Sequence, residues 1–450
     1  MKPNSETTMA FRDSGSPQMS RRGLLRSGAL LGAGAALGGA SFTRAAFAQD
    51  PARWAHVARL ARQYVDARKL ASVVATLGWW QMAPDTVAFG SLTLGQDAPA
   101  TIDSLFRIYS MTKPITGMAT MMLIDEGKLG LDQPLAEVLP KFADMKVQKT
   151  YDGSITDLEP SARPITIRHL LTHTAGLGYS VVQKGPIAAA YIAAGLVPGQ
   201  VSKLPLPAAF GRGTSVRSLE AFADGLAKMP LVAQPGTRWV YSVSLDLLGR
   251  VIEVVSGLPF DTFLKERIFD PAGMGSTFFQ VPASDLARLT TNYGVLGGTL
   301  LPIDPARQSV YADPPAFPFG GAGLVSSARD YDRFLRMLAG YGAIDGKRVM
   351  SEAAVRLGTS DLLPAGADTR GTFADGSGFG AGGRVGRGEQ AGIYGWAGAA
   401  GTVGFVDMKR GLRATLMTQY MPAEVYPLTQ EFSRAVLADV AAMAGQQAAA

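Results

Sequence analysis

Trp54, Val57, Leu60, Ala61, Tyr64 and Val65 recur at helical spacing, which predicts an amphipathic helix over residues 52–67. Two apolar runs, 72–80 and 86–92, read as strands joined through Pro84-Asp85. A helix is predicted from near Ser110 to 126, ended by Gly127, with Met111, Ile115, Met118, Ala119, Met122 and Leu123 as its apolar set. Pro114 falls in its first turn, where a missing N–H costs little. From Gly130 to Gly323 the pattern is short helices and Pro/Gly-rich loops, with helices over 167–172, 218–227, 244–255 and 260–269 and a linker over 314–323. Ser327-Ala328-Arg329-Asp330 has the form of a capping box opening a helix to 338. The last third alternates in the manner of strands, over 379–385, 393–396, 402–407 and 412–419, with Lys409-Arg410-Gly411 as a turn. An amphipathic helix over 424–442 closes the chain, and no internal repeat is visible.

The order is helix, strands, a long helical stretch, helix, strands, helix. It predicts an α+β fold: one antiparallel sheet flanked by the terminal helices, with a mainly helical domain inserted between its halves. The sheet domain is expected from 49–129 and 324–445, the insertion from 130–323, and a disordered Ala/Gln tail over 446–450. The cleft between the two parts is the natural place for a site.

Composition narrows the chemistry. With 450 residues, 47% hydrophobic and 18% charged, the chain can bury a core of ordinary size. Cysteine is absent, which removes disulfides, thiolate nucleophiles and Cys-based metal centres together. The three histidines are His56, His169 and His173. His169 and His173 stand four apart, but Leu170 follows the first, so there is no H-E-x-x-H, and both read as scaffold. No metal or cofactor is expected.

The net charge of +6 comes mostly from the N-terminus, where residues 1–48 hold six basic and two acidic side chains. The remainder carries +2, too little to argue for nucleic-acid binding. Arg21-Arg22 followed by Gly23-Leu24-Leu25, a Gly/Ala-rich apolar run over 27–42, and Ala46-Phe47-Ala48 before Gln49 form a twin-arginine leader pattern. Residues 1–48 are therefore expected to be a signal peptide cleaved near Ala48/Gln49, with the twin-arginine export machinery as partner in transport. The run is too short and Gly-rich for a stable membrane anchor. The mature chain is expected in the periplasm or secreted.

Ser110-Met111-Thr112-Lys113 has the S-x-x-K spacing, which on a helix sets serine and lysine on one face. A serine hydroxyl is a poor nucleophile until a base takes its proton, and a lysine can serve if burial and nearby cations lower its pKa. Alone, the spacing arises about once by chance in such a chain. Tyr241, at the entry of the helix predicted from 244, can relay a proton. Tyr394 to Thr402 is a strand of small residues whose backbone can approach a substrate and, with the Ser110 N–H, form an oxyanion hole.

Four stretches carry a resemblance, in order and spacing. They are residues 106–114 around Ser110, residues 167–177 (Ile-Arg-His-Leu-Leu-Thr-His-Thr-Ala-Gly-Leu), Pro235 to Ser242, and Gly320-Gly321-Ala322-Gly323-Leu324. The chain resembles the β-lactamase-related serine hydrolases, which include class C β-lactamases, D,D-peptidases and family VIII carboxylesterases, from about Trp54 to Val440. That resemblance implies Ser110 as the acyl-accepting nucleophile, Lys113 as base or proton relay, and Tyr241 sharing the base role. It implies Ser110 and Ala399 as oxyanion-hole N–H donors. It also places Tyr109, Val243, Trp396, Ala397 and Gly398 against the substrate.

Two departures are informative. Val243 stands where lactamases and peptidases carry the Asn of Tyr-x-Asn, and Trp396-Ala397-Gly398 stands in place of Lys-Thr-Gly. The groups that would hold a β-lactam or peptide carboxylate are gone, which favours esters of uncharged, apolar acyl groups. No G-x-S-x-G occurs, against an α/β-hydrolase. An ester-cleaving enzyme is expected to act on small molecules through a Ser110 acyl-enzyme. A β-lactamase or D,D-peptidase, a non-catalytic binding protein of the same fold, and cleavage of short amides remain alternatives.

Overall fold

The computed structural model describes residues 51–205 and 214–449; the expected leader, 1–48, lies outside the described residues. A 3₁₀ turn, Pro51–Trp54, leads into the helix Ala55–Asp66. The strands are β1 Ser72–Trp79, β2 Asp85–Gly90, β3 Leu105–Arg107, β4 Lys146–Gln148, β5 Leu158–Pro160, β6 Asn292–Leu296, β7 Thr299–Asp304 and β8 Val325–Ser327. They continue as β9 Ala343–Ile344, β10 Lys347–Arg348, β11 Gly378–Phe379, β12 Arg384–Val385, β13 Ile393–Ala397, β14 Val403–Asp407, β15 Leu412–Met417 and β16 Tyr420–Met421.

The main sheet has the order β11-β12-β13-β14-β15-β1-β2, antiparallel throughout. β1 lies between β2 and β15, with Val74 opposite both Ala88 and Met417. The two ends of the chain thus build one sheet, as the split pattern of strands predicts.

All eight residues of β1 are buried, because both faces are covered. On one face Val73, Ala75 and Leu77 pack with Val57, Ala61 and Tyr64 of the first helix and Phe432, Val436 and Val440 of the last, Leu428–Ala449. Val74, pointing the other way, joins Met111, Ile115, Met118, Tyr331 and Phe334. The first and last helices are also tied directly. The buried Asp439 accepts the backbone N–H groups of His56 (2.9 Å) and Val57 (3.0 Å), unsatisfied donors at a helix N-terminus.

Between the halves of the sheet lie the helices Ile167–Leu171, Pro186–Ala193, Leu219–Leu226, Ser244–Ser256 and Phe260–Leu264, the last continuing as a π-turn to Phe269. The stretch is not helical throughout. β6 and β7 form a hairpin over Gly297-Gly298, both at positive φ, and β6 pairs in parallel with β16. Four further details differ from the sequence pattern. The strand expected over 379–385 is two short strands split by Gly380-Ala381-Gly382-Gly383. Pro186–Ala193 and Glu352–Gly358 are additional helices. The closing helix starts at Leu428 and continues through Ala449, so most of the expected disordered tail is helix. The helix carrying Lys113 begins at Thr112, with Ser110 in a 3₁₀ turn, Tyr109–Met111, ahead of it. Among the described residues no helix is long and apolar enough to cross a membrane.

Candidate active site

β3 delivers the chain to Ser110 under tight control. Arg107 and Asp304 are both fully buried; Arg107 Nε donates to Asp304 Oδ2 (2.7 Å) and Nη1 to the Thr290 carbonyl (2.6 Å). The Ile108 N–H donates to the Leu324 carbonyl (3.0 Å), and the Met111 N–H closes the turn on Ile108 O (3.0 Å). Tyr331 Oη donates to Met111 O (3.1 Å). Tyr109 has φ +41°, a left-handed conformation that costs a tyrosine about 1–3 kcal/mol. Its ring is buried and its Oη accepts from Asn292 Nδ2 (3.1 Å). The bend at Tyr109 presents Ser110 at the start of the helix Thr112–Asp125.

Ser110, Lys113 and Tyr241 come together. Tyr241 Oη donates to Ser110 Oγ at 2.7 Å, and Lys113 Nζ donates to the same oxygen at 3.2 Å. Lys113 Nζ also donates to the Gly321 carbonyl (2.7 Å) and lies 4.6 Å from the Tyr241 ring centroid. Burial by itself disfavours the Lys113 ammonium, but Tyr241, Tyr179 and Asp246 outweigh burial and hold its pKa above the ordinary lysine value. The surroundings thus favour the charged form of Lys113, whose Nζ points at Ser110 Oγ. This direction is opposite to the lowering that a lysine acting alone as base needs, because phenols and a carboxylate, not cations, surround it, and it suits the proton-relay role expected beside the base role. Tyr241 Oη is then the group placed to exchange a proton with Ser110.

Trp396 faces the same centre, its Nε1 donating to Tyr241 Oη at 3.4 Å. Trp239 stacks on Tyr241 (5.9 Å, 13°), Phe373 meets it edge-on (5.5 Å), and Phe379 packs on Trp396 (5.3 Å). These rings give Tyr241 an apolar surround. Gly398 lies so close to the Ile108 carbonyl that a Cβ would clash with it, and Gly401 turns the chain at φ +80°. The turn brings Ala399 into one apolar cluster with Tyr109, beside Ser110.

Two of the residues expected against the substrate point elsewhere. Val243 is fully buried in the main core. The Ala397 methyl packs on the terminal-helix side of the sheet, since neighbours in a strand face opposite ways. His169 is part of a helix cap: its Nδ1 accepts the Thr166 N–H (3.1 Å) and its own N–H donates to Thr166 Oγ1 (3.4 Å). His173 lies 5.0 Å from the Tyr241 ring, its Nδ1 2.9 Å from Ser242 Oγ, and burial with Lys113 nearby keeps it neutral. Among the described residues no group of three or more His, Asp or Glu is placed to hold a metal ion. The pattern did not single out Asp246, Tyr179, Phe373 or Phe379. For Asp246 a signal existed: it is an acid among Leu245, Leu247 and Leu248, on a helix turn buried throughout.

This arrangement has relatives. The Beta-lactamase family model matches residues 57–438. Protein Rv1367c of Mycobacterium tuberculosis is 37% identical over 306 residues, 67% of this chain and 70% of that protein. Esterase EstB of Burkholderia gladioli is 32% identical over 344 residues, 71% of this chain and 78% of that one. Among solved structures, EstCE1, described as a hydrolase with promiscuous acyltransferase activity, superposes with a TM-score of 0.69 at 26% identity, covering 86% of this chain and 99% of its own. A family match across most of the chain and a serine set against a tyrosine and a lysine agree: the chain belongs to the Beta-lactamase family, as a serine hydrolase.

Proposed function

We propose that the protein is an exported esterase that works through a Ser110 acyl-enzyme. The observation that carries this is the Tyr241 Oη–Ser110 Oγ contact of 2.7 Å, with the Lys113 ammonium on the same oxygen and Trp396 where a carboxylate-binding cation would stand. Ser110 Oγ passes its proton to the Tyr241/Lys113 pair as it bonds to the ester carbonyl carbon. The Ser110 and Ala399 N–H groups hold the oxyanion. The C–O bond to the alcohol breaks, and Tyr241 returns the proton to the departing oxygen. Water then repeats the sequence and frees the acid. The aromatic surround suits an uncharged acyl group. EstB, an esterase by name, supports the ester over the lactam.

Purified protein is assayed on a short-chain aryl ester and on a cephalosporin, beside Ser110→Ala. The ester is expected to turn over with the higher kcat/KM, and Ser110→Ala to lose at least about a thousandfold. A higher kcat/KM for the cephalosporin, or no fluorophosphonate adduct on Ser110, overturns the reading. For export, Arg21→Lys with Arg22→Lys is expected to leave the precursor in the cytoplasm; the double variant appearing in the periplasm at the normal rate argues against a twin-arginine route.

A further inference from the structure

The Gly320–Leu324 stretch is held by side chains on two sides. Thr116 Oγ1 donates to the Gly320 carbonyl (2.7 Å), and the Leu324 N–H donates to Thr112 Oγ1 (3.2 Å), both from the helix that carries Lys113. From the other side, the Gly321 N–H donates to Asp246 Oδ1 (2.9 Å). Asp246 lies in the first turn of Ser244–Ser256, is 2% exposed, and packs so closely on Gly321 that any Cβ there would meet its carboxylate. Gly321 then offers its carbonyl to Lys113 Nζ. One residue thus separates a buried carboxylate from a buried ammonium, where charges are poorly screened.

We infer that Asp246 is a positioning residue for the reaction: through Gly321 it aims the Lys113 ammonium at Ser110, and its carboxylate is the counter-charge that the ammonium keeps one residue away. This rests on the Ser110 esterase reading above. The groups facing Lys113 are Tyr241 and Asp246 from one segment, Tyr179 from another, and His173, which burial and Lys113 keep neutral. Of these Asp246 is the carboxylate, so removing its charge leaves the ammonium with phenols and an imidazole. Lys113 then loses its proton at lower pH.

The test compares wild type, Asp246→Asn and Thr116→Val on an aryl ester from neutral to alkaline pH, with Ser110→Ala as background and the rate of fluorophosphonate labelling of Ser110 as a second readout. Asp246→Asn keeps the acceptor for Gly321 but not the charge. It is expected to lower kcat by about tenfold with KM nearly unchanged, and to move the alkaline limb down by about one pH unit. Thr116→Val removes a neutral pin from the same loop and is expected to leave the limb in place. Should Asp246→Asn fail to fold, Gly321→Ala disturbs the same contact from the other side and is expected to lower the limb likewise. A limb in folded Asp246→Asn, or in Gly321→Ala, that superimposes on wild type overturns the inference and leaves the esterase reading standing. Absence of both Ser110-dependent turnover and labelling in wild type removes both.

Discussion

Tyr241 and Lys113 reach the same oxygen of Ser110, but their capacities differ. Surroundings that favour the Lys113 ammonium suit it to donate to Ser110 Oγ more than to take its proton. Tyr241→Phe therefore separates the two roles. The ring stack on Trp239 and the edge contact with Phe373 need no hydroxyl, so folding stability should change little. Turnover of an aryl ester should fall by about 10²–10⁴, the usual worth of a positioned general base. A Tyr241→Phe enzyme with near-native kcat would return the base role to Lys113. The spacing of Ser110 and Lys113 was legible in the sequence, and Tyr241 was legible from its motif. The sign of the Lys113 pKa was not, because it depends on Tyr179 and Asp246, which contacts far along the chain bring near. Val243 and Ala397 were misread for a related reason: a motif names positions, while the facing of each side chain follows from the helix and strand that carry it.

The short helix Ile167–Leu171 shows how an element can couple stability to pH. Its cap requires a neutral His169, whose Nδ1 accepts the Thr166 N–H. Burial, with Arg163 and Arg168 adding to it against Asp132, pushes the His169 pKa down to about 4. An unfolded histidine titrates near pH 6.5. As pH falls the unfolded chain therefore binds the proton first, and the stability held at neutral pH drains away between about 6.5 and 4. His173, depressed by burial, acts in the same direction. Urea denaturation at about pH 7.5 and about pH 5 should show this loss, and His169→Asn, which can accept the same N–H without titrating, should lose less. Equal losses in both proteins would assign the effect to other groups. This helix and the longer ones were readable from their 3.6-residue period, but Pro186–Ala193 and Glu352–Gly358 were not. The hairpin β6–β7 was not, although Gly297-Gly298 between apolar residues is a hairpin signal; it was masked by a stretch otherwise read as helices and loops. β11 and β12 are two residues each and too short to show any period.

At the scale of the molecule, the buried Arg107–Asp304 pair joins segments that are far apart in sequence. Arg107 ends the strand leading to Ser110, and Asp304 ends β7 of the hairpin. Gln419, just before β16, accepts the Arg107 N–H (3.2 Å) and donates to the Arg107 carbonyl (3.1 Å). Ser309 Oγ accepts from Arg107 Nη2 (3.0 Å) and donates to Asp304 Oδ2 (2.7 Å). The network closes one side of the fold around the bend at Tyr109. Asp304→Ala leaves a guanidinium buried without its carboxylate and should cost about 3–5 kcal/mol in denaturant unfolding. Replacing both partners, Arg107→Met with Asp304→Leu, removes the stranded charge and should restore most of that stability. It should not restore full activity. The polar network holds the register of β3 against the hairpin, and the left-handed Tyr109 one residue before Ser110 persists only where its surroundings over-determine it. The double variant is therefore expected to unfold at nearly the native denaturant concentration while turning over esters more slowly, with kcat reduced and KM little changed. A double variant with native kcat would show that packing alone holds the bend, and that the ion pair contributes only to stability.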